Sequence, residues 1–351
     1  MAKRILRDIL IVAGIAIMAL STSDHFKNWV IEQKAENEKW WGVHKDVEGD
    51  LVTIAYLQQV KKFCAPRDYV FTKPAYPNHK VDLYAWGDSY IFKIPDSAYA
   101  GTRNYKFGWR YRDDMYYKLD SGQTSILLIE LTERYIRSYF SGTDIFNHVK
   151  KEAPVSLVFS AQQKNYAGIS IPFSEKLFNP EINQNLEYNL FNYNLVNPVR
   201  QWKAALNYYV FNRASGDVVI SKDGNQLFFK ETVTGERPEN TYYPVRHREL
   251  DTIVQNLNVI SGHYKAEGFD EVYFSFIPNP ATILQPNGYN NLIPLIENHP
   301  ELQANTISVY NQFKNANRRI YRPGDTHWNN EGLQIWLGEV NKMLISHNEQ
   351  H

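Results

Sequence analysis

The chain is short of the features that staple, steer or embed a protein. It has one cysteine in 351 residues, Cys64, so no intramolecular disulfide can form and stability has to come from a buried core. That cysteine does not directly follow the N-terminal apolar run, which argues against a lipoprotein anchor. Lys and Arg number 38 and so do Asp and Glu, and the balance removes the broad electrostatic field that would favour nucleic acid or an anionic membrane as the main partner. No companion pair of His or Cys stands at metal-ligand spacing, so neither a metal nor another cofactor is expected. There is no repeat of fixed period and no low-complexity linker. The longest apolar run falls short of the roughly 20 residues a spanning helix wants.

What is present reads as globular. Hydrophobic residues make up 43% and charged ones 22%, enough for a sizeable core in one large domain or two modest ones. Aromatics reach 14%, and such amphipathic rings suit grooves that stack on sugars as well as ordinary packing. Lys3, Arg4 and Arg7 precede the apolar run Ile9 to Leu20, with the small residues Ala19 and Ser21 at its end. This arrangement resembles an export signal, cleaved or kept as an anchor over residues 1–23, and either form puts the rest outside the cytoplasm. The rival is a buried N-terminal helix, which the flanking cations disfavour. Residues 24–80 read as a helical lead-in.

From residue 81 the pattern is that of an α/β domain reaching 346. Val81 to Trp86, Ser125 to Glu130, Val155 to Phe159, Val272 to Phe276 and Ile307 to Tyr310 predict strands; the continuous apolar runs suit a parallel sheet covered on both faces. Leu131 to Phe140 reads as a loop and helix. Arg248 to Lys265, Asn291 to Glu301 and Glu331 to Ser346 predict helices. Between about 162 and 244 the rhythm breaks: an Asn- and Tyr-rich stretch, partly helical, precedes a hairpin over Val218 to Phe229 that turns at Lys222-Asp223-Gly224, and together they make an inserted cap.

Two short motifs carry the chemistry. Gly87-Asp88-Ser89 follows the first strand, and Asp325-Thr326-His327-Trp328-Asn329 lies just before the last helix. A serine hydroxyl is a poor nucleophile unless an imidazole takes its proton and a carboxylate fixes the imidazole's tautomer. Ser89, His327 and Asp325 supply those three roles. The alternative for Asp325 and His327 is half of a metal site, ranked lower for want of companion ligands. Gly-Asp-Ser alone is an ordinary turn; the pair of motifs in a β/α pattern says more.

Gly-Asp-Ser after a strand, with Asp-x-His before a C-terminal helix, resembles the SGNH hydrolase superfamily. Asp325 to Asn329 is similar to its alginate O-acetyltransferase branch, as are Glu130-Leu-Thr-Glu133-Arg134 and Phe276-Ile-Pro278-Asn279-Pro280. The resemblance spans roughly Val81 to Leu344. It departs in order, since serine precedes histidine here as in ordinary SGNH hydrolases, which weakens any claim that alginate is the substrate. It leaves the superfamily's second-block glycine open among Gly101, Gly108 and Gly122.

The resemblance implies a three-layer α/β/α fold around a mostly parallel sheet, and an extracytoplasmic O-acetyltransferase acting on an exported or cell-surface polysaccharide. Its acetyl donor would be delivered by a membrane-bound O-acyltransferase. A carbohydrate esterase with the same triad, and a silent glycan-binding or assembly protein, are the alternatives. The resemblance further implies an oxyanion-hole amide from Asn279, unless that residue only turns the chain between two prolines. Arg134 offers contact with the acyl carbonyl or substrate, or a structural salt bridge with Glu130 or Glu133. Tyr90 and Trp328 stand as groove-lining candidates, with core packing as the rival for each.

Overall fold

Strand residues 81 to 87 are buried without exception, and their side chains part to two faces with period two. In this computed structural model Val81, Leu83 and Ala85 enter one apolar cluster, while Tyr84 and Trp86 enter another. Ile126 and Leu128 against Leu127, Ile129 and Leu131 repeat the division. A strand apolar on both sides is stable only between two covering layers. The structure describes residues 2–21, 48–152 and 196–349, apart from 67, 73, 75, 77–79, 112, 113 and 215.

The strands are β1 (Val81–Gly87), β2 (Thr102–Trp109), β3 (Met115–Tyr117), β4 (Thr124–Thr132), β5 (Val149–Lys151), β6 (Val218–Ile220), β7 (Leu227–Phe229), β8 (Glu271–Ile277) and β9 (Asn305–Ile307). The helices are α1 (Ala2–Ser21), α2 (Asp50–Ile54), α3 (Glu133–Tyr139), α4 (Asn197–Phe211), α5 (His247–Ala266), α6 (Pro280–Leu284), α7 (Leu292–Glu297), α8 (Tyr310–Lys314) and α9 (Asn330–Glu349). The protein is α/β, with a central five-stranded, all-parallel sheet in the order β2-β1-β4-β8-β9, flanked by helices. Helices α3, α5 and α7 cover one face and α9 the other. Their buried positions recur at helical spacing, as in Leu250, Ile253, Val254, Leu257, Ile260 and Tyr264 of α5.

The chain leaves β1 toward β2 on one side and later enters β4 on the other. The gap between the C-terminal ends of β1 and β4 is thus a topological switch point, the place where open parallel sheets hold their ligands. Ser89 lies just past β1, and Arg134 just past β4.

Several expectations need correction. The described part of the lead-in is no continuous helix: it holds α2, a 3₁₀ turn at Lys61–Phe63 and extended chain. Its apolar residues, Leu51, Val52, Ala55, Leu57, Val60 and Phe63, fold inward against the β6-β7 hairpin and Ala204 of α4. A straight helix has no way to direct so close a spacing to one surface. The edge strand β2 went unread because its burial is mixed, and the small β3-β5 pair because each strand is three residues long. The short strand expected at Ile307 to Tyr310 lies earlier, at β9. Val155 to Phe159 and residues 162–195 of the insertion fall outside the described residues. α1 coincides with the expected signal or anchor, and among the described residues no helix is long and apolar enough to cross a membrane.

Candidate active site

The turn after β1 is held by buried acids. Asp88 Oδ1 accepts the amide of Tyr90 at 3.0 Å, and its Oδ2 accepts the Thr132 hydroxyl at 2.7 Å and the Thr132 amide at 3.3 Å, tying the end of β1 to the end of β4. The Asp88 amide in turn donates to Glu130 Oε2 at 2.9 Å. Burial first, and the negative charge of Asp88 second, push the Glu130 carboxyl well above the usual range. Gly87 suits this packing: a Cβ there would stand 2.6 Å from Glu130 Oε2 and 2.8 Å from Ile91 Cδ1, and both side chains would have to shift.

Ser89 Oγ lies 2.8 Å from His327 Nε2, and His327 Nδ1 lies 2.7 Å from Asp325 Oδ1. Asp325, fully buried, also accepts the His327 amide at 3.0 Å through Oδ1, while Arg322 donates to its Oδ2. A buried carboxylate needs such compensation, and removing one partner of a buried pair leaves an expensive lone charge. Ser89, His327 and Asp325, 238 and 2 residues apart in sequence, form one hydrogen-bonded chain.

The His327 loop is braced by distant segments. Leu51 and Val52 amides both donate to the Gly324 carbonyl at 3.1 Å, Arg322 donates to the Ala65 carbonyl, and Leu227 of β7 donates its amide to the Pro323 carbonyl at 2.8 Å. Gln226 Nε2 reaches the Arg322 carbonyl at 2.8 Å. Gly324 admits no side chain, since a Cβ would meet Val52 Cγ2 at 2.3 Å and the Phe63 carbonyl at 2.5 Å.

Asp50, which the sequence reading missed, comes with the lead-in. Its Oδ1 accepts the Thr326 amide at 2.8 Å, its Oδ2 accepts the Thr326 hydroxyl, and Oδ2 stands 3.5 Å from His327 Nδ1. Burial, followed by the charge of Asp325, pushes its carboxyl up to about 6. Nothing local marked it, because the contact spans 276 residues.

Tyr90 and Trp328, offered by the sequence as groove-lining residues, are buried instead. The Tyr90 ring lies 4.7 Å from the His327 ring and its hydroxyl donates to the Thr326 carbonyl. Trp328 is wholly buried, 4.9 Å edge-on to Tyr90 and 5.7 Å from Trp336. Their place is behind the imidazole, where an apolar helix packs down on the loop. Asn279 is also buried: it donates a side-chain hydrogen to Thr241 Oγ1 at 3.1 Å and its backbone amide to Glu133 Oε2 at 2.8 Å. Glu133 accepts the Thr282 hydroxyl as well, and burial pushes its carboxyl up to about 7.

Arg134 forms no salt bridge with Glu130 or Glu133. Its Nε is buried without a hydrogen-bond acceptor, and its guanidinium lies 4.9 Å over the Tyr135 ring and 5.5 Å over that of Phe229. Arg110, just past β2, donates its amide to the Gly87 carbonyl at 2.9 Å and stacks its guanidinium 4.0 Å over Tyr135 and 4.1 Å over Tyr111. Phe92, stacked on Trp109 at 4.4 Å, and Tyr111 continue this aromatic surface, and both are nearly half exposed. Of the glycines left open as the second-block residue, Gly108 pairs with Trp86 inside the sheet, Gly122 donates its amide to Asp120 Oδ1 at 3.0 Å in a turn ahead of β4, and Gly101 abuts Asn348 of α9. None lies past the C-terminal end of a strand, where Ser89 is.

Asp50, Asp325 and His327 are also the group among the described residues close enough to share a cation. Their donor atoms are already engaged: both Asp50 oxygens face Thr326, Asp325 faces Arg322 and His327, and Nε2 faces Ser89. A guanidinium pressed on Asp325 suits a hydrogen-bonded relay better than a dication.

Compared with known proteins, the chain matches no family, no curated protein and no solved structure.

Proposed function

We propose that the chain is an SGNH-type serine O-acyltransferase, outside the cytoplasm, that moves acetyl groups onto hydroxyls of an exported or cell-surface polysaccharide. The observation that carries this reading is the Ser89-His327-Asp325 relay, at 2.8 and 2.7 Å, in the cleft between β1 and β4. Helices on both faces of the sheet support the three-layer α/β/α form of that superfamily, with the 162–244 insertion as its addition.

Ser89 Oγ attacks the acyl carbonyl of the donor as His327 Nε2 takes its proton; Asp325 holds Nδ1 and offsets the imidazolium charge. The tetrahedral oxyanion is met by the Ser89 backbone amide and by Asn279, whose remaining amide hydrogen is the candidate donor. When the donor's acyl bond breaks, the imidazolium returns the proton to the leaving group. A sugar hydroxyl then gives its proton to Nε2, attacks the acyl-serine ester, and the imidazolium reprotonates Ser89 Oγ as the acetylated sugar leaves. Arg134, with a buried Nε that no acceptor among the described residues fills, suits the acyl carbonyl or the substrate.

Transfer beats hydrolysis only where a sugar is held and water disfavoured. The exposed rings of Phe92 and Tyr111, on the turn after Ser89 and past the end of β2, are apt for stacking on a pyranose. A membrane-bound O-acyltransferase partner belongs to the same proposal. The esterase reading is favoured by the serine-first order of the motifs, which is that of the hydrolases.

The deciding experiment incubates glycan oligomers and an activated acetyl ester with the protein or with Ser89→Ala, and reads the products by mass spectrometry. A gain of acetyl on the sugar, lost by about a thousandfold or more in the variant, is expected. Serine-dependent acetate release with unmodified sugar would make it an esterase. Turnover unaffected by the substitution would end the catalytic reading.

A further inference from the structure

The Ser89-His327-Asp325 relay accounts for three of the polar groups in the cleft and leaves a fourth without a role. Asp50 is placed by α2, on a segment that precedes the sheet and is bound to the His327 loop by four backbone and side-chain links. Its carboxylate spans the Thr326 peptide unit, which lies between the acid and the base. The Thr326 hydroxyl, donating to Asp50 Oδ2, is itself 3.4 Å from His327 Nδ1. An anion at 3.5 Å from Nδ1 faces the same edge of the imidazole as Asp325.

We infer that Asp50 is a positioning residue of the active site: it fixes the Asp325-Thr326-His327 turn through Thr326 and supplies a second negative charge to the imidazolium, so the lead-in segment completes the catalytic centre. The inference rests on the reading of Ser89 as a nucleophile.

The charged and titratable groups about the imidazole come from three elements. Asp325 and Arg322 lie on its own loop, Tyr90 on the turn after β1, and Asp50 on α2. Arg322 neutralises Asp325 at the oxygen turned away from the ring, so Asp325 offers less net field to the imidazole than a lone carboxylate would. Asp50 makes up that difference. Its own carboxyl, held up by burial and by Asp325, changes charge near pH 6, so the second charge is present above that pH and is lost as pH falls through it. Loss of the Asp50 charge therefore contributes to the acid limb of the activity profile.

Asp50→Asn separates the two parts of the role. An amide oxygen still accepts the Thr326 amide and the Thr326 hydroxyl can turn to accept, but the charge is gone. Turnover of p-nitrophenyl acetate by the full chain would be followed from pH 4.5 to 9, with fluorophosphonate labelling of Ser89 and thermal unfolding alongside. Asp50→Asn is expected to lower the plateau kcat about tenfold with KM unchanged, and to move the acid limb down by about half to one pH unit, because the imidazolium has lost a counter-charge. Thr326→Val, which removes the hydroxyl and keeps the carboxylate, is expected to lower the plateau without moving the limb.

An Asp50→Asn protein with the wild-type plateau and limb would overturn the inference. So would one that fails to fold, since the residue would then belong to the scaffold. If instead the unaltered chain shows no Ser89-dependent turnover or labelling at any pH, the nucleophile reading fails and the role of Asp50 falls with it.

Discussion

The two halves of the Ser89-His327-Asp325 cluster are built in opposite ways. The Ser89 turn is part of the sheet: Asp88 is bonded to Tyr90 two residues on and to Thr132 on the neighbouring strand, beneath two apolar layers. Among the described residues the His327 loop has no strand behind it beyond an isolated bridge from Tyr321 to Trp328, and it is held by Leu51, Val52, Ala65, Gln226 and Leu227 from remote segments. Ser89 thus inherits the stability of the core, whereas His327 depends on the lead-in segment and a hairpin that lie outside the sheet. Local openings cost least where backbone bonds lie outside the regular ladders, so disturbances of the lead-in segment should reach activity before they reach the fold.

The sharpest way to break that comparison is Asp325→Asn, which keeps the shape of the loop but reverses the hydrogen-bonding of His327 Nδ1. Ester turnover of the folded protein should fall by about 10³ to 10⁴-fold, and denaturant unfolding should show a loss of stability of about 3 kcal/mol as well, because the buried Arg322 guanidinium loses its counter-charge. An effect below tenfold would mean that the relay does not carry the chemistry.

Arg322→Ala attacks the same loop through its charge balance. Arg322 and Asp325 are both buried, and stranding the carboxylate should destabilise the protein by about 3 kcal/mol, read by denaturant unfolding. If the base half is the separately braced one, serine labelling should fail at lower denaturant than the loss of far-ultraviolet helix signal.

On the sheet side, Glu133→Gln tests the cost of burying an acid. The Glu133 carboxyl binds its proton up to about pH 7 in the folded chain and, when unfolded, only to its ordinary range near 4.5. Stability from this group is therefore full below about 4.5 and is lost as pH rises to about 7, a difference on the order of 3 kcal/mol. A neutral amide at this position is not subject to that loss, so the variant should gain stability relative to wild type between pH 5 and 8, and thermal unfolding at the two ends measures it. The smallest effect is expected from metal removal: incubation with EDTA should leave turnover within about twofold, as the donors around His327 are engaged by N–H and O–H groups. A larger loss, restored by a divalent ion, would favour the metal alternative.

Much of the sheet was legible because its strands are short apolar runs fixed by burial on both faces. β1, β4 and β8, and helices α5 and α9, lie within a few residues of where periodicity put them. β2 was not, since an edge strand with one covered face carries no continuous apolar run. Ser89, Asp325 and His327 were visible as two motifs, while their meeting at hydrogen-bond distance was visible in neither. Trp328 could not be placed by its type, because a tryptophan beside an apolar helix reads the same whether it faces a groove or a core.

The sequence by itself determined the α/β rhythm, the absence of disulfide staples and the residue types of the relay, because periodicity and side-chain chemistry are local properties. Only the tertiary structure decided that Ser89, His327 and Asp325 meet past the ends of β1 and β4, that Arg134 forms no salt bridge with Glu130 or Glu133, and that Asp50 joins His327. Those facts are distances between residues far apart in the chain, and they exist only once packing has brought the segments together.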